Sequence, residues 1–203
     1  ASMLDPFELQ NMRYRWRKWG IFDCNWKVAL EAFNETYHVQ TTHPEFNKFG
    51  EFRGWARVQG RHSNIGYDAP KNMDENQAAK LRVGTVDAAR RLVDELPEGT
   101  PGDQVLKHWL AAARRDDEAR GVVWPTVDPV HVGKSGTAWQ IFPNFQIGHA
   151  VNNALCYSAR PCGYDPDKCI FEAAVYELFP KGEEPQTQWE YCPQTEEAWC
   201  YVL

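Results

Sequence analysis

Apolar and polar residues alternate most clearly in the carboxy-terminal half. Ala138–Ile147, Ala154–Arg160 and most of Cys169–Phe179 place apolar residues at every second position. That is the period of a half-buried strand. Turn formers such as Gly163-Tyr164-Asp165-Pro166-Asp167 separate them. Phe52–Tyr67 also reads as strand, with Trp55, Arg57, Gln59 and Arg61 in alternation. The period changes elsewhere. Asn72–Leu96 is a helix candidate closed by Pro97-Glu98-Gly99. Asp103 is placed to cap a second helix through Val105, Leu106, Trp109 and Leu110 to Gly121. A third helix is predicted from about Asn25 to Thr41. Strands grouped apart from helices predict an α+β fold with an antiparallel sheet.

The Asn25–Thr41 segment carries the candidate chemistry. At about 100° per residue, Lys27, Glu31, Asn34, Glu35 and His38 share one stripe of a continuous helix. Glu35 and His38 are then one i, i+3 step apart and in reach of each other. His43 is five residues beyond His38, so on the same helix it would point about 140° away. It joins His38 only where the helix ends between them. Pro44 disfavours the α conformation at His43, and Thr41 and Thr42 are poor helix formers. This makes His38 a last-turn ligand and His43 a ligand swung in by the exit. Two imidazoles beside a carboxylate suit iron or zinc, and two His with one carboxylate leave iron(II) open positions for dioxygen. A Lys/Glu/Asn/Glu/His stripe is also what a solvated helix face looks like, and the spacing alone leaves both readings open.

Composition narrows the classes. With 203 residues, the chain is long enough to bury a core without staples. Net charge is −6, and its Arg90-Arg91 and Arg114-Arg115 pairs are isolated, which argues against nucleic acid. No apolar run approaches a membrane span and no signal peptide is visible, so no membrane partner is expected. Six cysteines in a chain without a secretory signal read as free thiols in a reducing cytoplasm. Cys162 with Cys169, or Cys192 with Cys200, match no known zinc spacing. Twenty-seven Trp, Phe and Tyr residues fill a core or line an apolar cavity. Met12–Trp19 is a basic-aromatic stretch. It reads either as a surface strand with cation–aromatic contacts or as a packing surface for another domain. His149 lies among apolar neighbours and reads as a hydrogen-bonded core histidine or one facing a cavity. His62, His108 and His131 have no partner spacing.

The order acid, three residues, acid, two residues, His, four residues, His, filled by Glu31, Glu35, His38 and His43, resembles the mononuclear-iron motif of Rieske-type aromatic-ring-hydroxylating oxygenases. Cys24-Asn25-Trp26-Lys27, Tyr37-His38, Phe142-Pro143-Asn144, Arg160-Pro161 and Asp165-Pro166-Asp167 also resemble the catalytic domain of their alpha subunit. The resemblance runs from about Leu4 to Leu203 and is thinnest between Asn72 and Arg120. It implies a helix-grip (START-like) domain: a curved antiparallel sheet around a long helix, with an internal cavity. It implies iron(II) on His38 and His43, with Glu35 bridging by hydrogen bonds to a Rieske [2Fe–2S] cluster on the neighbouring subunit of a trimer. Glu31 is then a structural partner for Lys27. Substrate and partners would be an apolar, aromatic small molecule, O2, and a reductase or ferredoxin. Three departures stand out. The family usually has Asp where this chain has Glu35. No cysteine has a His two or three residues on, as a Rieske cluster requires. The family's third ligand, an Asp, would fall just past Leu203. Residues 1–203 are accordingly expected to be one catalytic domain cut at both ends, inactive as an isolated fragment. Two other readings remain: a metal-free carrier of a hydrophobic molecule, and a zinc hydrolase with Glu35 as general base.

Overall fold

The computed structural model describes residues 3–42, 53–68 and 102–199. The chain divides into two compact units. One comprises residues 1–35, 56–66 and 124–203; the other comprises residues 36–55 and 67–123.

The first unit carries the sheet apart from residues 53–55 and 67–68, which belong to the second. The strands are β1 (Arg13–Phe22), β2 (Arg53–Gln59), β3 (His62–Asp68), β4 (Ala138–Ile141), β5 (Phe145–His149), β6 (Asn153–Cys162), β7 (Asp165–Glu177) and β8 (Glu190–Tyr191). They form one curved, open sheet in the order β2-β3-β4-β5-β6-β7-β1-β8. The ladders from β3 through β7 to β1 are antiparallel, and the short β8 joins β1 in parallel. The α+β helix-grip class expected from the sequence is the observed one. The three predicted carboxy-terminal strands are present with one change. Ala138–Ile147 is not one strand but the hairpin β4–β5, turned at Phe142-Pro143-Asn144. Pro143 has no N–H to give a ladder, and Asn144 Nδ2 donates to the Ala159 carbonyl at 3.1 Å instead. Phe52–Tyr67 is likewise a hairpin, bent at Gly60, whose φ of 67° suits glycine.

Strand period sends alternate residues to opposite faces, and both faces are covered. One face presents Tyr157, Ala159, Cys169, Phe171 and Ala173 to Leu30 and Phe33. The other presents Trp139, Ile147, Ala154 and Cys156 to Met12 and the amino-terminal residues Met3, Leu4 and Leu9. The basic-aromatic stretch is β1. Arg17 lies 4.7 Å from the Tyr14 ring and 5.7 Å from the Trp189 ring, and Lys18 lies 5.7 Å from the Trp16 ring.

In the second unit, α3 (Gly102–Ala119) matches the predicted second helix. It starts before Asp103, which therefore sits in the first turn rather than capping it. Gly121, at φ 82°, ends it, and its N–H bonds the Glu118 carbonyl at 3.0 Å. Asp117 is buried and paired with Arg120. The helix expected over Asn72–Leu96 lies outside the described residues. Among the described residues, no helix is long and apolar enough to cross a membrane.

Candidate active site

The sequence Asn25-Trp26-Lys27 starts a helix for a local reason. Asn25 is extended, and its side-chain oxygen accepts from the Lys27 N–H at 3.0 Å, capping α1 (Trp26–Glu31). Its amide nitrogen donates to the Pro166 carbonyl at 2.9 Å, tying the helix start to the β6–β7 hairpin. Trp26 and Ala29 pack against the core of the first unit, and Leu30, 2% exposed, sits inside it. Burying a leucine to this degree is worth about 2 kcal/mol. The helix therefore has a fixed position on β6 and β7.

It does not run on to Thr41. After Glu31 the chain tightens into i, i+3 turns: Phe33 N–H bonds the Leu30 carbonyl at 3.1 Å, and Asn34 N–H bonds that of Glu31 at 2.8 Å. The predicted 17-residue helix is instead α1, an irregular link, and α2 (Val39–Thr42). The physical reason is tertiary. The Phe33 ring stacks on Tyr157 with centroids 3.9 Å apart. The Asn34 amide donates to Gln140 Oε1, which Ser63 Oγ also approaches at 3.3 Å. Phe33, Asn34, Thr36 and Tyr37 are weak helix formers, so these anchors outweigh the propensity of the segment.

The break takes Glu35 and His38 off the continuous helix expected for them. Glu31 is the exposed last residue of α1, and the Lys27 ammonium lies over the Trp26 ring at 5.7 Å. Glu35 is half-buried in the link, not on a helical stripe. His38 is half-buried and precedes α2, so it opens a helix rather than closing one. Its carbonyl accepts from the N–H groups of Thr41 and Thr42 at 3.0 and 2.8 Å, and from Thr41 Oγ1 at 3.1 Å. Three donors thus meet one oxygen at the start of α2. Within the same unit, Gly54 of β2 lets the strand backbone approach Thr36, since an added Cβ would overlap the Thr36 side chain. His43 lies outside the described residues. Among the described residues, no group of three or more His, Cys, Asp and Glu side chains is placed to hold a metal ion.

Sequence reasoning missed the polar set on the α1 face of the sheet: Asn34, Ser63, Gln140 and Gln146. Gln146 is 2% exposed, and its amide reaches the Leu30 carbonyl at 3.4 Å. A glutamine amid the apolar run Phe145–Ile147 was the available signal. The described pocket, about 210 Å³, opens on the opposite face. Tyr14, Phe145, Ser158, Glu172, Tyr176 and Trp189 line it. Arg160 pairs with Glu172 at 2.9 Å beside it, and burial raises the Tyr176 phenol above its ordinary range. This is not the cavity expected between sheet and helix.

His149 is the hydrogen-bonded core histidine of the two readings. Its Nε2 lies 3.0 Å from Ser135 Oγ, and the Phe7 ring meets it edge-on at 4.2 Å. His131 Nε2 bonds the Met3 carbonyl at 2.8 Å, and His62 Nδ1 accepts from the Phe142 N–H at 3.1 Å. Among the described residues, five cysteines are free thiols: Cys24, Cys156, Cys162, Cys169 and Cys192.

Among curated proteins, none matches the sequence significantly. A family model does: residues 8–199 match the one described as the ring hydroxylating alpha subunit (catalytic domain). With nearly its whole length inside that match, the chain belongs to the ring-hydroxylating oxygenase alpha-subunit family, in its catalytic domain.

Proposed function

We propose that this chain is the oxygen-activating part of a Rieske-type oxygenase, with His38 and His43 as its iron(II) ligands. Family membership makes it an oxygenase, an oxidoreductase acting with an electron donor. The ligand assignment is carried by one observation: the acid-x3-acid-x2-His-x4-His order lies inside the matched residues. The donor set suits the metal. Imidazole suits iron, and His38 is half-withdrawn from water, its carbonyl accepting three hydrogen bonds. When bound, iron(II) supplies the activation of dioxygen for hydroxylation of an apolar, aromatic substrate.

The chain's own residues do the rest. His38 and His43 would each give the iron a ring nitrogen. Glu35 accepts a hydrogen bond from an imidazole N–H, which fixes the tautomer of a ligand, and forms the link to the electron donor. Asn34, held by Gln140, anchors the chain one residue before Glu35. Electrons come from a Rieske cluster outside this chain, passed on by a ferredoxin or reductase. The assembly is a trimer in which neighbouring subunits pair cluster with iron. The free thiols suit a cytoplasmic enzyme.

The test is metal analysis of the chain purified without added metal, beside His38→Ala and His43→Ala. Iron should dominate, and each variant should lose it. Zinc in place of iron, or full iron in either variant, refutes the assignment. In the enzyme supplied with its cluster, Glu35→Gln should retain iron and slow turnover at least tenfold. Unchanged turnover removes Glu35 from the electron path.

A further inference from the structure

We propose that Cys24 and Cys169 are an oxidisable thiol pair whose disulfide fastens the start of α1 to strand β7. The two residues are 145 positions apart in sequence, yet their sulfurs lie 3.9 Å apart. No cysteine spacing in the sequence points to this pair. Cys169 is fully buried in β7, opposite Phe22 in the β1 ladder. Cys24 is half-exposed, in the short link between β1 and the Asn25 cap of α1. A disulfide brings sulfurs to about 2.05 Å. The link carrying Cys24 is irregular backbone, so it can close the remaining distance while the strand stays in register.

The chemistry needs a two-electron oxidant of the peroxide class, and hydrogen peroxide serves. The Cys24 thiolate attacks one peroxide oxygen. The O–O bond breaks, giving a sulfenic acid, and the departing hydroxide leaves as water with the proton the thiol gave up. Cys169 sulfur then attacks Cys24 sulfur. The S–O bond breaks, and the hydroxide leaves as a second water with the Cys169 proton. Two thiols lose two electrons and two protons, and the peroxide is reduced to two waters. The division of labour follows from access and acidity. Only Cys24 meets solvent. Burial and the adjacent Cys24 push the Cys169 thiol up to about 12, so it makes a poor first nucleophile. Cys24 is therefore the residue that takes the peroxide oxygen first, and the sulfenic acid forms there.

The consequence lies at α1. This helix leads directly into the link that carries Glu35, and its amino terminus is otherwise held by the Asn25 hydrogen bonds. A covalent tie across a 145-residue separation restricts the unfolded chain strongly.

The experiment treats the full chain with hydrogen peroxide and then blocks the remaining thiols. Two of the six thiols should disappear, and the intact mass should fall by two hydrogens. Non-reducing peptide mapping should join Cys24 to Cys169, and dithiothreitol should restore both. Dimedone added early should label Cys24. Cys24→Ser should lose neither thiol pair nor mass, and Cys162→Ser should behave as wild type. Because Cys24 is half-exposed, its serine variant tests the pair even if a change at buried Cys169 prevents folding. A bridge between Cys162 and Cys169, or Cys24 oxidised to sulfinic acid while Cys169 stays reduced, overturns the proposal.

Discussion

Acid should destabilise this protein through His149. The Trp139 indole N–H, a donor only, bonds Ser135 Oγ at 3.2 Å. The serine proton is then free to point at His149 Nε2, 3.0 Å away. His149 Nδ1 is buried without a hydrogen-bond partner in the protein. A doubly protonated ring would bury an Nδ1–H without a partner and place a charge beside the Phe7 ring. Burial, reinforced by the charge of His131, lowers the His149 value from 6.5 to about 4. The sign follows from linkage. The unfolded chain takes up this proton near 6.5, the folded chain only near 4, so stability is complete above the first value and falls as pH drops towards the second. At about 1.4 kcal/mol per unit, the whole window is worth roughly 3 kcal/mol, of which about 2 kcal/mol is gone by pH 5. These are upper values, because His149 is not wholly withdrawn from water. His149→Gln keeps an acceptor for Ser135 and removes the titration. Urea unfolding of both proteins at pH 7.5, 6 and 5 is the assay. Wild type should lose about 2 kcal/mol more than the variant on going to pH 5. Parallel pH profiles would refute the buried neutral imidazole.

Two other substitutions probe the frame. Leu30→Ala, at 2% exposure, should cost about 2–4 kcal/mol in chemical denaturation; a loss near zero would mean that α1 does not anchor the link after it. Gly20→Ala would place a Cβ 2.5 Å from the Cys192 carbonyl oxygen and 3.1 Å from the Trp199 ring. The clash should cost about 1–3 kcal/mol and redden Trp199 emission by parting β8 from β1, whereas an unchanged spectrum would contradict that close approach.

How much of this was written in local sequence depends on range. Alternation in Ala154–Arg160 and Cys169–Phe179 is a local property, and both strands formed where their period placed them. The α3 pattern behaved the same way. The first errors came where punctuation was overlooked: Pro143 and Gly60 both sit at hairpin turns inside stretches read as single strands. The third came from long range. Nothing between Ala32 and His38 forbids helix outright. Tyr157 and Gln140, more than a hundred residues on, take hold of Phe33 and Asn34 and end it. A stripe drawn on an ideal helix could not include that, and Glu35 and His38 lie off the continuous helix it assumed.

The same long-range anchors explain why a polar set survives on a core-facing surface. Gln140 and Gln146 are cross-strand partners on β4 and β5, at positions where Leu or Val would pack with no polar group to satisfy. Burying an unpaired amide costs about 1–3 kcal/mol. Here Gln140 recovers part of that by accepting from Asn34 and Ser63, and Gln146 by reaching the Leu30 carbonyl. Both glutamines thus act on the last turn of α1 and the residues after it, where a helix would otherwise continue. An apolar pair would bury α1 equally well but would leave Asn34 without its partner and the helix free to extend through Glu35. On this account the glutamines stop the helix, and stopping it leaves Glu35 in an irregular, half-buried link rather than on a solvated helical face.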